Sequence, residues 1–365
     1  MRLFSDDSTL IADPFLRRAW TLAQRGLGTT SPNPMVGCVV VRDSRVIGEG
    51  WHERVGGPHA EAVALVQAGP SACDATAYVT LEPCAHHGRT PPCTDALVKA
   101  GVARVVIGMP DPSEVASGGA ERLRAAGIDV SFAEDPAPYE ALNLGWLTLV
   151  RKERPWVTVK IASSLDGKLS AGPGLRTRIS GPGSRPVTMR LRAASDAVLV
   201  GARTALVDDP RLTVRDEASA DAVRQPLRVV MTRTTDPGTC SLFSDGSGPA
   251  VLLVPVGSGM GAPPGAEILE YSADDGLRGA LRVLGARGIA RLLVEAGPDL
   301  FTALWDENLI DELVVIHAGS AAGADAVGMY AGATTGTDDA LGERMTAFEA
   351  AVAGCDAITV WRRAI

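Results

Sequence analysis

The stretch VGCVVVRDSRVIGEGWHERVGGPHAEAVALVQA, residues 36–68, decides the fold of the first half of this chain. Two apolar runs, Val36 to Val41 and Arg45 to Trp51, flank a short polar turn at Asp43 and Ser44, a pattern that reads as a hairpin. The Ala-rich segment Ala60 to Ala68 then reads as a helix. Before this stretch comes a helix-like segment, Phe15 to Gln24. After it come a short strand at Ala77 to Thr80, a helix at Thr94 to Ala100, a strand at Arg104 to Gly108, and a further helix and strand ending near Phe132. That βαβαβ order predicts an α/β sheet with helices on its faces.

Farther along, the segment Glu134 to Pro155 contains Pro136, Pro138, Pro155 and the charged cluster Arg151, Lys152, Glu153 and Arg154, which places a domain boundary near residue 150. Strand-like runs recur beyond it at Trp156 to Ile161, Ala197 to Gly201, Leu227 to Met231, Ala250 to Pro255, Ala290 to Glu295 and Glu312 to His317, with helix candidates between several of them. This is a second α/β unit. No internal repeat joins the halves, so they are expected to do different work.

Composition narrows the classes. A chain of 365 residues with 46% hydrophobic residues has length and apolar content for two packed domains. A net charge of −8 speaks against a general binder of nucleic acid or anionic membrane, both of which call for a basic surface. Six cysteines in a chain this long do not make a disulfide scaffold, and the start MRLFSDD has no apolar signal core, so a reducing cytoplasm is expected. The longest uncharged stretch, between Asp245 and Glu267, is continuously apolar from Val251 to Val256, too short for a bilayer.

Three residues in the first half carry metal chemistry. His59 opens the helix after the hairpin, and Cys84 and Cys93 follow a strand. An imidazole and two thiolates suit zinc, and three protein ligands leave a fourth position for water. Glu61, two residues from His59, is placed as the general acid and base of zinc deaminases, whose signature is H-x-E followed by P-C-x-x-C. Here eight residues separate the cysteines, so the insert must form a loop beside the metal. A closed structural site with His86 or His87 as fourth ligand is the alternative.

These residues sit in longer motifs: Thr30-Ser-Pro-Asn-Pro-Met-Val-Gly-Cys38, Gly48-Glu-Gly-Trp-His52, Gly57-Pro-His-Ala-Glu61 and Thr80-Leu-Glu-Pro-Cys-Ala-His-His-Gly-Arg-Thr-Pro-Pro-Cys93. Together they resemble the bifunctional riboflavin-biosynthesis deaminase/reductases, over nearly the whole chain. The resemblance implies a cytidine-deaminase-like α/β/α domain over residues 1–150 and hydrolytic, zinc-dependent removal of the 2-amino group of 2,5-diamino-6-(5-phosphoribosylamino)pyrimidin-4-one. Carried over by position, it makes His59, Cys84 and Cys93 the zinc ligands and Glu61 the proton shuttle, and it puts Asn33, His52, His86 and Arg89 on the substrate. Asn33 can meet a pyrimidine edge as donor and acceptor, and Arg89 can pair with a phosphate.

In the second half, Arg176 to Arg215 holds eight arginines against three aspartates, a local basic patch suited to a phosphorylated ligand or, in part, to a solvated helix face. The turn Gly297-Pro298 after the strand Leu292 to Glu295 offers backbone N–H groups to an anion, and no G-x-G-x-x-G follows a strand. Lys160-Ile-Ala-Ser-Ser-Leu-Asp-Gly-Lys168, Ala202-Arg-Thr204, Val207-Asp-Asp-Pro-Arg-Leu-Thr-Val-Arg215 and Val294-Glu-Ala-Gly-Pro298 resemble the family's reductase half. That likeness implies a dihydrofolate-reductase-like α/β domain over residues 151–365 that uses NADPH to reduce the ribosyl group to ribityl. It puts Ser163, Thr204, Asp208 and Gly297, Pro298, Asp299, Leu300, Phe301, Thr302 and Ala303 on the cofactor. It puts Lys160, Arg176, Arg192, Leu212, Arg215 and Glu295 on the substrate side, with Asp166 near the reacting sugar.

The chain departs from the family pattern at Arg176 to Gly181, at His317 to Asp325 and at Thr232. Three readings follow: a bifunctional enzyme, a deaminase with a degenerate reductase-like partner domain, and a nucleoside or polynucleotide deaminase. With 4% aromatic residues and an acidic balance, the last lacks a stacking, cationic track. The resemblance also implies a homodimer or homotetramer.

Overall fold

The computed structural model describes residues 7–86, 91–113, 117–215, 224–332 and 345–363. The chain divides into two compact units, Met1–Lys152 and Glu153–Ile365.

The first unit runs α1 (Pro14–Ala23), β1 (Gly37–Arg42), β2 (Arg45–Trp51), α2 (Ala60–Ala68), β3 (Thr76–Val79), α3 (Cys93–Ala100), β4 (Arg104–Ile107), α4 (Gly119–Ala125), β5 (Asp129–Phe132), α5 (Ala137–Leu142) and α6 (Leu144–Lys152). Its sheet has the order β2-β1-β3-β4-β5, with β1 antiparallel to both neighbours and β3, β4 and β5 parallel. Asp43 and Ser44 both take positive φ, 48° and 60°, the conformation a two-residue hairpin turn requires. Helix α2 lies directly on the hairpin: a Cβ at Gly48 would fall 2.1 Å from the Ala64 carbonyl oxygen, and one at Gly50 2.4 Å from that of Ala60. Glycine here lets helix and strand backbones touch, which fixes where the first turn of α2 begins.

Buried Cys38, Val40, Ala64, Leu97 and Ile107 fill one side of this sheet; Trp20, Met109, Tyr139 and Leu142 pack on the other. The proline-bearing segment ahead of the boundary is thus helical and part of the first core. Trp20 Nε1 donates to the Pro138 carbonyl at 3.0 Å, tying α1 to α5.

The second unit contains β6 (Trp156–Ser164), β7 (Lys168–Ser170), α7 (Arg185–Ala193), β8 (Ala197–Gly201), α8 (Ala202–Asp208), β9 (Leu227–Met231), β10 (Ala250–Pro255), β11 (Glu267–Tyr271), α9 (Gly276–Ala286), β12 (Arg291–Glu295), α10 (Pro298–Asp306), β13 (Glu312–Ala318), β14 (Val327–Gly328), β15 (Thr346–Ala353) and β16 (Asp356–Arg362). Nine strands form one sheet in the order β11-β10-β9-β8-β12-β6-β13-β16-β15, parallel from β11 to β13 and antiparallel through the β13, β16 and β15 pairings. Strands β7, β11, β14, β15 and β16 are not among the runs expected from the sequence. Strand β15, TAFEAAVA, is made largely of helix-favouring Ala and Glu, and its pairing with β16 overrides that preference. The order places β12 between β8 and β6, although it follows both in the chain, so the carboxyl ends of those three strands form a topological switch point where α/β sheets bind ligands. Among the described residues no helix is long and apolar enough to cross a membrane.

Candidate active sites

In the first unit, His59 is the residue before α2, and Cys93 is the first residue of α3. The two helix starts converge on Cys84, which follows β3. One ligand atom from each of His59, Cys84 and Cys93 lies within 4.8 Å of the others. His59 Nδ1 is 3.2 Å from Cys93 Sγ and 3.7 Å from Cys84 Sγ, and the Cys93 amide donates to Cys84 Sγ at 3.4 Å. Helix N-termini and a neighbouring imidazole favour thiolate over thiol. Accordingly the hydrogen bond from Cys93 pulls the Cys84 thiol down to about 4, while its partner Cys93 is pushed up by that same bond and by burial. The Cys84 hydrogen bond raises His59 above the usual imidazole range. A thiolate-bearing set of two sulfurs and one imidazole nitrogen, gathered at this spacing, fits zinc.

Glu61, in the first turn of α2, is 3% exposed, and burial raises its carboxyl above the ordinary range. Beside it, His52 stands edge-on to His59 with ring centroids 5.6 Å apart. His52 Nδ1 is 3.0 Å from the Pro58 carbonyl, and Nε2 is 3.2 Å from Asn33 Nδ2. These contacts make Nδ1–H the donor to Pro58 and leave Nε2 to accept from Asn33. Burial lowers the His52 pKa, against the pull of the Pro58 bond, which favours the neutral ring this pattern needs. His86 Nδ1 is buried with no hydrogen-bond partner among the described residues, and Arg89 lies outside them.

A further residue, missed in the sequence, holds the Asn33 loop. Buried Asn143, between α5 and α6, accepts from the Met35 amide at 2.8 Å and donates to the Met35 carbonyl at 3.0 Å. One side chain thus serves Met35 as a strand partner would. Its 108-residue separation from Met35 left no local signal.

In the second unit, β12 pairs with β6 in a register that sets Glu295 against Lys160. Arg192, on α7, grips Glu295 through two parallel bonds, Nε to Oε1 at 2.6 Å and Nη2 to Oε2 at 3.0 Å, and gives Nη1 to the Thr213 carbonyl at 2.9 Å. Burial would raise Glu295, but Arg192 and Lys160 outweigh it and hold the carboxylate ionised. Burial lowers Lys160, with Glu295 opposing. Asp208, at the end of α8, is raised by burial while Arg176 pulls it the other way. Lys160, Arg192, Glu295, Asp208 and Arg176 therefore form one electrostatically coupled cluster.

At the same sheet edge Gly297 precedes α10, and a Cβ added there would stand 2.6 Å from Thr204 Oγ1. Glycine keeps this turn open beside the Thr204 hydroxyl and the first-turn amides of Asp299 and Leu300, which have no intrahelical acceptor. That cradle fits a dinucleotide phosphate. Other implied residues are already engaged: Asp299 pairs with Arg203 at 2.5 Å, Thr302 Oγ1 accepts from the Ala331 amide at 2.8 Å, and Ser163 Oγ donates to the Ser164 carbonyl at 3.0 Å. Phe301 and Leu212 are buried in the core, at 2% and 0% exposure, so their side chains do not face a ligand and contact through them is left to the backbone. Leu212 holds φ 53°, a conformation costly for a branched residue and often found beside functional sites.

The Arg215 amide donates to Met189 Sδ at 3.4 Å, and Pro298 and Ala303 start and line α10. Asp166 is turned away from the cluster's work: its carboxylate receives the Ala322 and Gly323 amides and the Ser164 hydroxyl, and those bonds pull its pKa down to about 2. The arginine patch is likewise partly spent, on Glu295, Asp299 and Asp245, while Arg176 and Arg178 are exposed. Of the departures, His317 pairs with Ser163 in the β13–β6 register and its Nε2 lies 3.0 Å from Thr359 Oγ1; Thr232 Oγ1 closes a turn with Thr235.

Residues 11–109 match the family model of the cytidine and deoxycytidylate deaminase zinc-binding region, and residues 155–338 match the RibD C-terminal domain. The riboflavin biosynthesis protein RibD of Escherichia coli is 42% identical over 328 residues, 86% of this chain and 89% of that protein. The Aquifex aeolicus RibD is 38% identical over 83% of this chain and 86% of its own length. Among solved structures, Acinetobacter baumannii RibD superposes with a TM-score of 0.86 at 37% identity, covering 98% of each chain. A diaminohydroxyphosphoribosylaminopyrimidine deaminase/5-amino-6-(5-phosphoribosylamino)uracil reductase from Thermotoga maritima superposes at 0.84 and 32% identity, covering 98% of this chain and 99% of that one.

Proposed function

This chain belongs to the RibD family of riboflavin-biosynthesis proteins, and from that premise we propose which of its residues carry each of its two activities. It is a bifunctional enzyme, a zinc-dependent pyrimidine deaminase joined to an NADPH-dependent reductase. The deaminase acts on the phosphoribosylamino-diaminopyrimidine, and the reductase then converts the ribosyl chain of the uracil product to ribityl.

In the deaminase, His59, Cys84 and Cys93 hold zinc, which supplies the Lewis acidity that makes a water molecule nucleophilic near neutral pH. Glu61 takes the proton of that water and delivers it to the departing amine, so that water replaces ammonia at the ring carbon. Asn33, oriented by His52 and pinned through Met35 by Asn143, reads the pyrimidine edge. His86 and Arg89 are assigned to the substrate by the resemblance alone, Arg89 as the partner of the ribose phosphate. The observation that carries this assignment is the convergence of one imidazole and two thiols within 4.8 Å, with a buried carboxylate two residues from the imidazole.

In the reductase, the turn from Gly297 into α10, with Thr204 and Asp208, would hold NADPH, which supplies the hydride for C1 of the opened sugar; Phe301 would meet it through its backbone alone, and Asp299, Thr302 and Ser163 would first have to leave the partners they now hold. Arg192, locked to Glu295, fixes the substrate side with Lys160, Leu212 and Arg215; Lys160 and Asp208 are assigned to move the proton that a heteroatom of the sugar takes up as C1 receives the hydride. Arg176 adds positive charge for a phosphate. The alternative of a degenerate partner domain loses ground, because the arginine, carboxylate and lysine cluster stands assembled at the switch point. As an enzyme of this kind it is expected to work in the cytoplasm as a homodimer or homotetramer.

Mass spectrometry of the products, with and without NADPH, tests this. The expected result is the amino-to-oxo product alone without NADPH, and the same product carrying two additional hydrogens with it. Deamination with no reduction at any NADPH concentration overturns the reductase assignment.

A further inference from the structure

The Thr80 to Cys93 motif includes a buried carboxylate that none of this chemistry uses, Glu82, 7% exposed. Its Oε1 accepts from the Ala120 amide at 2.8 Å and its Oε2 from the Asp111 amide at 3.1 Å, while its own amide donates to the Met109 carbonyl at 3.0 Å. Ala120 is the second residue of α4, so the carboxylate sits in that helix's first turn, where amides lack intrahelical acceptors and the dipole favours an anion. The same helix start presses on the next residue of the motif: a Cβ at Gly119 would lie 1.8 Å from the Pro83 carbonyl oxygen.

On its other side Cys84 is held by α3. Its carbonyl accepts from the Thr94 amide and hydroxyl, both at 3.3 Å, and its sulfur from the Cys93 amide. Helix α3 therefore brings one zinc ligand and grips the second, while α4 reaches that second ligand from before it through Glu82 and the Gly119–Pro83 contact and from after it through Arg122, whose Nη1 donates to the Ala85 carbonyl at 3.0 Å.

We infer that Glu82 is a positioning residue for the metal site: by bridging the start of α4 to the strand exit, it holds Cys84 in ligand geometry without touching the metal. Two amides need two acceptor oxygens, which a carboxylate has and a carboxamide of the same shape lacks. Partners hydrogen-bonded to a metal ligand typically change affinity by 10- to 100-fold when altered, and Glu82, acting one step farther out through the backbone, is expected at the low end of that range. A residue that merely stabilised the domain would lower its melting temperature without selectively loosening zinc.

The inference rests on His59, Cys84 and Cys93 being zinc ligands, and one experiment separates the two claims. The full-length enzyme is loaded with zinc, desalted, and challenged with a chromogenic chelator, and the release rate is read together with the melting temperature. Glu82→Gln is expected to release zinc about tenfold faster or more. Leu123→Ala, which removes a fully buried side chain from the same helix, is the stability control and is expected to stay within about twofold of wild type at an equal or greater loss of melting temperature. Ala120→Pro removes the donor from the opposite end, in a first turn where proline is tolerated, and is expected to match Glu82→Gln; it decides the matter should Glu82→Gln not fold. Unchanged release from both bridge variants, or equal acceleration by Leu123→Ala, overturns the role of Glu82 while leaving the zinc assignment standing. A wild-type enzyme that retains no zinc overturns both.

Discussion

The two sites of this enzyme are built on opposite plans. The deaminase gathers the residues proposed as its metal ligands and proton shuttle from positions 59–93, at the starts of two helices and one strand exit. The reductase gathers its charged cluster from residues 160–295, across neighbouring parallel strands and α7, with Arg192 and Glu295 separated by 103 positions. In the first plan local geometry nearly completes the site; in the second, the sheet order does. The first should therefore fail one chemical role at a time, and the second as a network.

Glu61→Gln is the largest break expected. Deamination falls by roughly 10²- to 10⁴-fold, the usual share of general acid and base catalysis, with one zinc retained per chain and NADPH oxidation unaltered. Metal analysis beside both assays checks this, and a parallel fall in reduction would show that the two sites are coupled. Glu295→Gln comes next. It leaves buried Arg192 without its counter-charge and half-buried Lys160 with Asp208 alone, a change that costs about 2–5 kcal/mol, so reductase kcat/KM drops by about 10²-fold or more while deamination is spared. Steady-state kinetics on each reaction decide it; an unaltered reductase would remove the ion pair from the site.

Gly297→Ala probes the cradle rather than the network. Its methyl group would meet Thr204 Oγ1, and an overpacking cost of about 1–3 kcal/mol raises the KM for NADPH by roughly tenfold with little change in kcat. The KM for the pyrimidine substrate should stay within about twofold of wild type; a parallel rise would place the effect outside the cofactor cradle. The smallest effect belongs to Arg176→Gln. This exposed guanidinium acts on Asp208 through solvent, where such interactions are worth about 0–1 kcal/mol, so the reductase KM should move less than about fivefold. A larger shift would make Arg176 a direct phosphate ligand.

Legibility followed the same divide. The hairpin, helix α2 and most central strands could be read from alternation and β-branched runs, because those signals are local. Strand β15 could not, since its alanines favour helix and only the partner strand β16 makes it extended. The segment before residue 152 carries prolines and charges, yet Pro136 and Pro138 both sit where α5 begins, and the apolar faces of α5 and α6 complete the core around Trp20. Glu82 lies inside the Thr80 to Cys93 motif, but its partners Asp111 and Ala120 come from later elements, so no local pattern marks its part in the metal site.

By itself the sequence determined which groups the first site is proposed to use and set His59 and Glu61 at one helix start, since regular backbone fixes a spacing of two; the places of Cys84 and Cys93 beside them came from the contacts of α3 and α4. Tertiary structure alone decided which charges are free and which are spent. That Arg192 is committed to Glu295, Arg203 to Asp299 and Asp166 to the amides of residues 322 and 323 depends on strand order and register, which bring together groups that no local pattern relates.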